Sequence, residues 1–201
     1  MHFVSVYTGM SRPQVAAIAG SLRETSYTRQ ALGHALDAAT EAGGDTQLID
    51  LREYDLPLIN PDVEEPSDAR ELTTDVRSAD AVLLGTPVYH GSYSAPLKNA
   101  LDYCGFDEFE NTTVGLLAVA GGSFPVTALA HLRSVCRAVN AWVLPHQAAI
   151  PNVYEQFDGG AILNDTIADR VETLGERAVE FARIEPHPAC FESEVNAWPS
   201  D

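Results

Sequence analysis

Two short segments hold most of the side chains able to do chemistry, and each follows an apolar run and leads into a helical pattern. The first, Gly20-Ser21-Leu22-Arg23-Glu24-Thr25-Ser26, offers the hydroxyls of Ser21, Thr25 and Ser26, that of Thr28 just beyond, and the guanidinium of Arg23. Unpaired amides and the positive end of a helix dipole attract an anion, and hydroxyls plus one arginine can complete its coordination without a lysine. A phosphate suits that loop. The same residues also describe a capped helix start, with Ser26 as N-cap and Arg23 as a solvated charge. The second segment is Thr86-Pro87-Val88-Tyr89-His90-Gly91-Ser92. Gly91 permits close backbone approach and Tyr89 offers an aromatic edge or face, although Tyr89-His90 equally reads as a half-buried turn pair. His90 receives no acid or base role.

These segments need elements to hold them. Val15 to Ala19 reads as a buried first strand ending at Gly20, and from Ser26 the residues Tyr27, Ala31, Leu32, Ala35, Leu36 and Ala39 recur at helical spacing until Gly43-Gly44. Thr46 to Leu51 reads as a second strand, Ser67 to Ser78 as a helix, and Ala81 to Leu84 as a third strand. Val114 to Ala120 is a fourth strand ending in Gly121-Gly122-Ser123, before a helix whose inner face carries Leu129, Leu132, Val135, Cys136 and Val139. Trp142 to Ile150, broken at Pro145, supplies a fifth, and Ile167, Val171, Leu174, Ala178 and Phe181 mark a last amphipathic helix. Such alternation predicts an α/β fold with a parallel sheet covered on both faces, because parallel strands need crossovers. The simplest fit is a flavodoxin-like three-layer sandwich, a five-stranded parallel sheet of order 2-1-3-4-5. In an open sheet of this kind, ligands bind beyond the carboxyl ends of the strands, so both polar segments would line one crevice.

Residues 14–185 are expected to form a single domain, with 1–13 a peripheral extension and 186–201 an irregular tail rich in Pro and acids. Arg52 to Pro66, acidic and Pro-rich around Leu56-Pro57-Leu58-Ile59, reads as a long exposed loop. No apolar run approaches the roughly 20 residues of a membrane span, and no basic segment precedes a long apolar one as in a signal peptide. A cytoplasmic protein without a membrane partner is expected. Cys104, Cys136 and Cys190 form no disulfide framework or metal-ligand spacing, and the six histidines include no pair at such spacing, so no metal is expected. The 29 acids oppose 12 bases, of which only Lys98 is a lysine, and this balance disfavours nucleic acid. Salt would screen so acidic a surface, which points to the high-salt cytoplasm of a halophile, against the plainer reading of an acidic mesophilic protein. The GxxxxGK[ST], GxGxxG and GxSxG patterns are absent, which argues against P-loop nucleotide binding, a dinucleotide fingerprint and a nucleophile elbow.

Residues Gly20 to Ser26, with Thr86 to Ser92 and the continuation Ala95-Pro96-Leu97-Lys98-Asn99-Ala100-Leu101-Asp102, resemble the NADPH-dependent FMN reductases. The likeness spans roughly residues 14 to 150 and implies a flavodoxin-like fold with FMN as cofactor. Carried over position by position, it implies that Ser21, Arg23, Ser26 and the amides of Tyr27 and Thr28 hold the FMN phosphate. It further implies that Pro87, Val88, Tyr89, His90, Gly91 and Ser92 lie along the isoalloxazine. Gly121, Gly122 and Ser123 would bring amides to the pyrimidine end of the ring, where negative charge develops on reduction. Lys98 and Asp102 are spaced to pair within one helix, while the resemblance suggests that the lysine pairs across protomers of a homodimer or homotetramer.

The expected activity is an NAD(P)H-dependent oxidoreductase that takes hydride from NADPH or NADH onto FMN and passes electrons to a flavin, quinone, azo compound or similar acceptor. No catalytic side chain is assigned, since the flavin carries the chemistry. The rivals are a flavodoxin-type one-electron carrier and a non-enzymatic flavin-binding redox sensor.

Overall fold

The computed structural model describes residues 11–184, so most of the expected N-terminal extension and all of the expected C-terminal tail lie outside the described residues. Five parallel strands, β1 (Gln14–Ala19), β2 (Asp45–Asp50), β3 (Ala81–Pro87), β4 (Thr113–Val119) and β5 (Trp142–Ile150), form one sheet in the order β2-β1-β3-β4-β5. The fold is flavodoxin-like. Strand residues alternate between faces, as a period of two requires. Val15, Ala17 and Ala19 join one apolar cluster, and Ala16 and Ile18 join the other.

On the first face pack α1 (Tyr27–Glu41) and α6 (Asp165–Glu180). The two helices approach so closely that a Cβ at Gly175 would lie 1.9 Å from the Ala35 carbonyl oxygen, so a larger residue there would force them apart. The opposite face carries α2 (Ser67–Arg77), α3 (Ala95–Tyr103) and α5 (Val126–Ala138), with the single turn α4 (Phe106–Phe109) between α3 and β4. Leu129, Leu132 and Cys136 of α5 are buried there, and Val135 and Val139 pack against them.

Three features depart from the sequence reading. β5 is not broken at Pro145; instead its pairing with β4 jumps from Val114↔Val143 to Leu116↔Gln147. Proline cannot donate to a ladder, and an edge strand accommodates it in such an irregularity. β3 runs past Leu84 to Pro87, carrying the start of the second polar segment into the sheet. After β5, a 3-10 turn at Val153–Glu155 and a small hairpin, β6 (Phe157–Asp158) with β7 (Ala161–Ile162), precede α6. Short runs of this kind leave no periodicity to read.

The acidic loop after β2 is not left loose. Asn99 of α3 donates from Nδ2 to the carbonyls of Leu56 (3.1 Å) and Pro57 (2.9 Å) and accepts from the Ile59 amide at 3.1 Å. Tyr103 adds a 2.8 Å bond to the Pro57 carbonyl. Among the described residues, no helix is long and apolar enough to cross a membrane.

Candidate functional site

α1 begins immediately after the first polar segment, and its N-cap is Ser26, whose hydroxyl accepts from the Arg29 amide at 3.2 Å. The first intrahelical bond runs from the Gln30 amide to the Ser26 carbonyl at 3.0 Å. The amides of Tyr27 and Thr28 therefore have no acceptor among the described residues, as the first turn of a helix dictates. Ser21, Ser26 and Thr28 are buried, at 3%, 2% and 2% exposure. The hydroxyls of Ser21 and Thr28 have no hydrogen-bond partner among the described residues, and both residues line a cleft with Arg23, Thr25 and Ser26. No acid occupies the first turn of α1. Arg23 is itself exposed and makes no ion pair among the described residues, although acids outnumber bases by 29 to 12 in the chain. Hydroxyls of buried residues that open on the cleft, free amides and an uncommitted guanidinium around one hollow form a donor set that matches a phosphate.

The opposite wall comes from the end of β3 and the loop after it, where Pro87, Val88 and Tyr89 line the same cleft, joined by Val119, Gly121, Val153 and Tyr154. Ser94, the N-cap of α3 and 1% exposed, ties the two walls together. Its hydroxyl donates to the Gly20 carbonyl at 2.5 Å, and its amide donates to Thr86 Oγ1 at 2.9 Å. A Cβ at Gly20 would lie 2.8 Å from Leu97 Cβ, so the β1 loop can sit this close to α3 only as glycine.

Nine of the fourteen expected site residues line this cleft: Ser21, Arg23, Ser26, Tyr27, Thr28, Pro87, Val88, Tyr89 and Gly121. The other five stand beside it. Tyr89 and Ser92 close a reverse turn through two 3.1 Å backbone bonds, with His90 (φ 51) and Gly91 (φ 80) at its tip in the left-handed region. Ser92 Oγ shares a 3.0 Å hydrogen bond with His131 Nδ1 on α5, which takes it away from the lining. Gly122 accepts from the Asn152 amide at 3.0 Å and Ser123 Oγ donates to Asn152 Oδ1 at 3.4 Å, so both face the loop after β5.

That loop supplies the residues the sequence reading missed. Tyr154 meets Tyr27 edge-on at 6.0 Å, and Tyr27 also packs on Phe157 at 5.1 Å. A Cβ at Gly121 would come within 3.2 Å of the Tyr154 ring, so glycine leaves room for that aromatic wall. The usable signal was topological: β5 adjoins β4 in the predicted order, so its carboxyl-end loop belongs to the same rim.

A second hollow of about 250 Å³ lies between the β1 loop, the β2 loop and α3, lined by Leu22, Leu51, Tyr54, Leu56, Leu58 and Asn99 among others. Its polar groups are already engaged. Asn99 is bound to the β2 loop, and Tyr54 donates to Asp75 at 3.0 Å, where burial and that carboxylate push its phenol well above the usual range. Cys104 and Cys136 offer no nucleophile either, since burial pushes each thiol up to about 12. Lys98 pairs with Asp102 within α3.

The NADPH-dependent FMN reductase model matches residues 13–155, which span both walls of the cleft. The chain belongs to that family. The reductase is 31% identical over 181 residues to an FMN-dependent NADPH-azoreductase of Staphylococcus saprophyticus, covering 85% of this chain and 95% of that one. It is 30% identical over 179 residues to an FMN-dependent NADPH-azoreductase of Staphylococcus aureus, with the same coverage. Among solved structures it resembles the flavoenzyme NAD(P)H:(acceptor) oxidoreductase FerB of Paracoccus denitrificans, with a TM-score of 0.72 at 22% identity over 85% of this chain and 97% of the other. The reductase is thus an oxidoreductase using FMN and NAD(P)H, and the unpartnered donors at the start of α1 fit the FMN phosphate.

Proposed function

We propose that Ser21, Arg23 and Ser26, with the amides of Tyr27 and Thr28, hold the FMN phosphate, and that the ring extends from there toward β3 and β4. The observation that carries this reading is the set of hydroxyls from buried residues and free amides facing one cleft, beside an arginine with no ion pair among the described residues. Bound FMN supplies hydride acceptance from the nicotinamide and electron delivery to a second substrate. The protein binds, orients and excludes. Pro87, Val88 and Tyr89 present backbone and one aromatic face, while the His90-Gly91 turn, Ser92, Gly122 and Ser123 support the walls from outside the cleft and reach the ring through backbone groups. Tyr154 closes the rim beside Tyr27.

The second substrate is an azo compound, a quinone or a free flavin. The two staphylococcal relatives, named for azo reduction, support the first of these. An exposed large apolar side chain stands on every loop at the carboxyl edge of the sheet: Leu22, Leu58, Tyr89, Phe124 and Tyr154. Such a concentration supports a homodimer or homotetramer closing over the cleft mouth. The acidic composition supports a cytoplasm of high salt.

The test is an absorbance spectrum of protein purified in high salt, with and without NADPH under anaerobic conditions. A flavin spectrum that bleaches on addition is expected. Protein that binds no added FMN, or binds FMN that NADPH and NADH leave oxidised on a catalytic timescale, overturns the reading.

A further inference from the structure

Arg29 does not line the cleft, yet it grips the loop that forms it. From the first turn of α1, its Nη2 donates to the Glu24 carbonyl at 2.5 Å, and Nη1 and Nη2 each lie 3.4 Å from the Arg23 carbonyl. The same guanidinium faces Asp50, with Nη1 3.4 Å from Oδ2 and side-chain exposures of 17% and 7%. Asp50 ends β2 and is held in turn by Arg52, whose Nε reaches both carboxylate oxygens at 3.0 Å and whose Nη2 reaches Oδ2 at 2.6 Å. A continuous polar strut therefore runs from the edge strand to the back of the β1 loop.

In a trans peptide the carbonyl and the following N–H point to opposite sides. Holding the Arg23 and Glu24 carbonyls toward Arg29 turns the N–H groups of Glu24 and Thr25 away from it. We propose that Arg29, anchored by Asp50, is a positioning residue that fixes this stretch of the β1 loop and so presents the amide of Thr25, which lines the cleft, to the anion there. This inference rests on the reading of the cleft as an FMN phosphate site. The planar fork matters as well as the charge, because one guanidinium serves two adjacent carbonyls, whereas an ammonium is a single point donor. Released, those carbonyls would be free to turn toward the phosphate and repel it.

The test is fluorescence titration of the full chain with FMN and with riboflavin, which shares the ring but lacks the phosphate. Arg29→Lys and Arg29→Met are each expected to weaken FMN binding by about tenfold or more, the scale of losing hydrogen bonds to a charged group, with riboflavin affinity unchanged. Asp50→Asn, which leaves the arginine in place beside a neutral partner, is expected to produce a smaller loss confined to FMN, and it tests the strut even if an Arg29 variant fails to fold. An Arg29→Lys protein that keeps the parental preference for FMN over riboflavin overturns the positioning role. So does an equal loss of both ligands. A parental protein with no preference for FMN overturns the phosphate-site reading itself, an outcome separate from the first two.

Discussion

Ser21, Ser26 and Thr28, at the β1 end of the cleft, are each no more than 3% exposed, whereas Tyr89, at the β3 end, is 53% exposed. The β1 loop is held from three sides, by the helix cap at Ser26, by Ser94 from α3 and by Arg29 from behind. The β3 loop ends in a solvent-facing turn that is closed by its own backbone and by Ser92 against His131. The difference suits the two tasks proposed for the cleft. Anion binding needs donors fixed before the ligand arrives, because each donor that must be reoriented weakens the site. An end that admits nicotinamide and then a second substrate needs access, and backbone with one aromatic face accepts many flat molecules.

Several substitutions would break or sharpen this contrast. The largest effect is expected for Arg23→Glu, which puts a negative charge at the proposed phosphate site. FMN affinity should fall about a hundredfold or more, read by fluorescence quenching, while the melting temperature of flavin-free protein changes little because Arg23 is exposed and makes no ion pair among the described residues. Retained affinity would place the phosphate elsewhere.

Ser94→Ala removes the hydroxyl that ties the β1 loop to the residue bonded through its amide to Thr86 on the other wall, and leaves the Gly20 carbonyl unsatisfied in a buried position. Chemical denaturation should show a loss of about 1–3 kcal/mol, and both ends of the cleft should loosen together in hydrogen exchange. Loosening at the β1 end alone would mean that the two loops are positioned independently.

Asp50 makes the β1 end sensitive to acid. Burial raises its pKa, but the hydrogen bonds from Arg52 and the charges of Arg29 and Arg52 more than offset that, leaving it below its ordinary value. A carboxylate depressed on folding contributes stability above its unfolded pKa of about 4 and loses it as pH falls through the lower folded value. The stability gap between the parental protein and Asp50→Asn should therefore stay constant from neutral pH to about 5 and shrink below about 4. A gap already shrinking between pH 7 and 6 would point to another group.

Smaller effects belong to the β3 end. Tyr89→Ala should weaken FMN about two- to tenfold, the scale of one aromatic contact, with no change in melting temperature. His90→Gly relieves a left-handed conformation at an exposed turn tip and should raise stability by no more than about 1 kcal/mol, with FMN affinity unchanged. A His90 variant that loses turnover would give that side chain a role beyond its backbone.

The alternation of apolar runs with helical patterns was enough to predict a parallel sheet covered on both faces, because parallel strands demand crossovers, and the order 2-1-3-4-5, its simplest fit, is the one the sheet has. The residues proposed for the phosphate end, which line one cleft, were legible too, since hydroxyls, arginine and a helix start lie within a few positions of one another in the chain. Other parts were hidden. Tyr154 and Val153 join the cleft only because β5 adjoins β4. Gly122 and Ser123 leave its lining because Asn152, from that same neighbouring loop, binds them. The Asp50–Arg29 strut joins residues with no shared motif, and Ser94 meets Gly20 from a helix on the other side of the second segment. Local patterning decided which elements form and which groups could bind an anion, because propensity, caps and periodicity act over a few residues. Which of those groups face the cleft, and what holds them there, was decided by contacts distant in sequence, because a buried hydroxyl, carboxylate or guanidinium must find its partner wherever the packed sheet and helices put one.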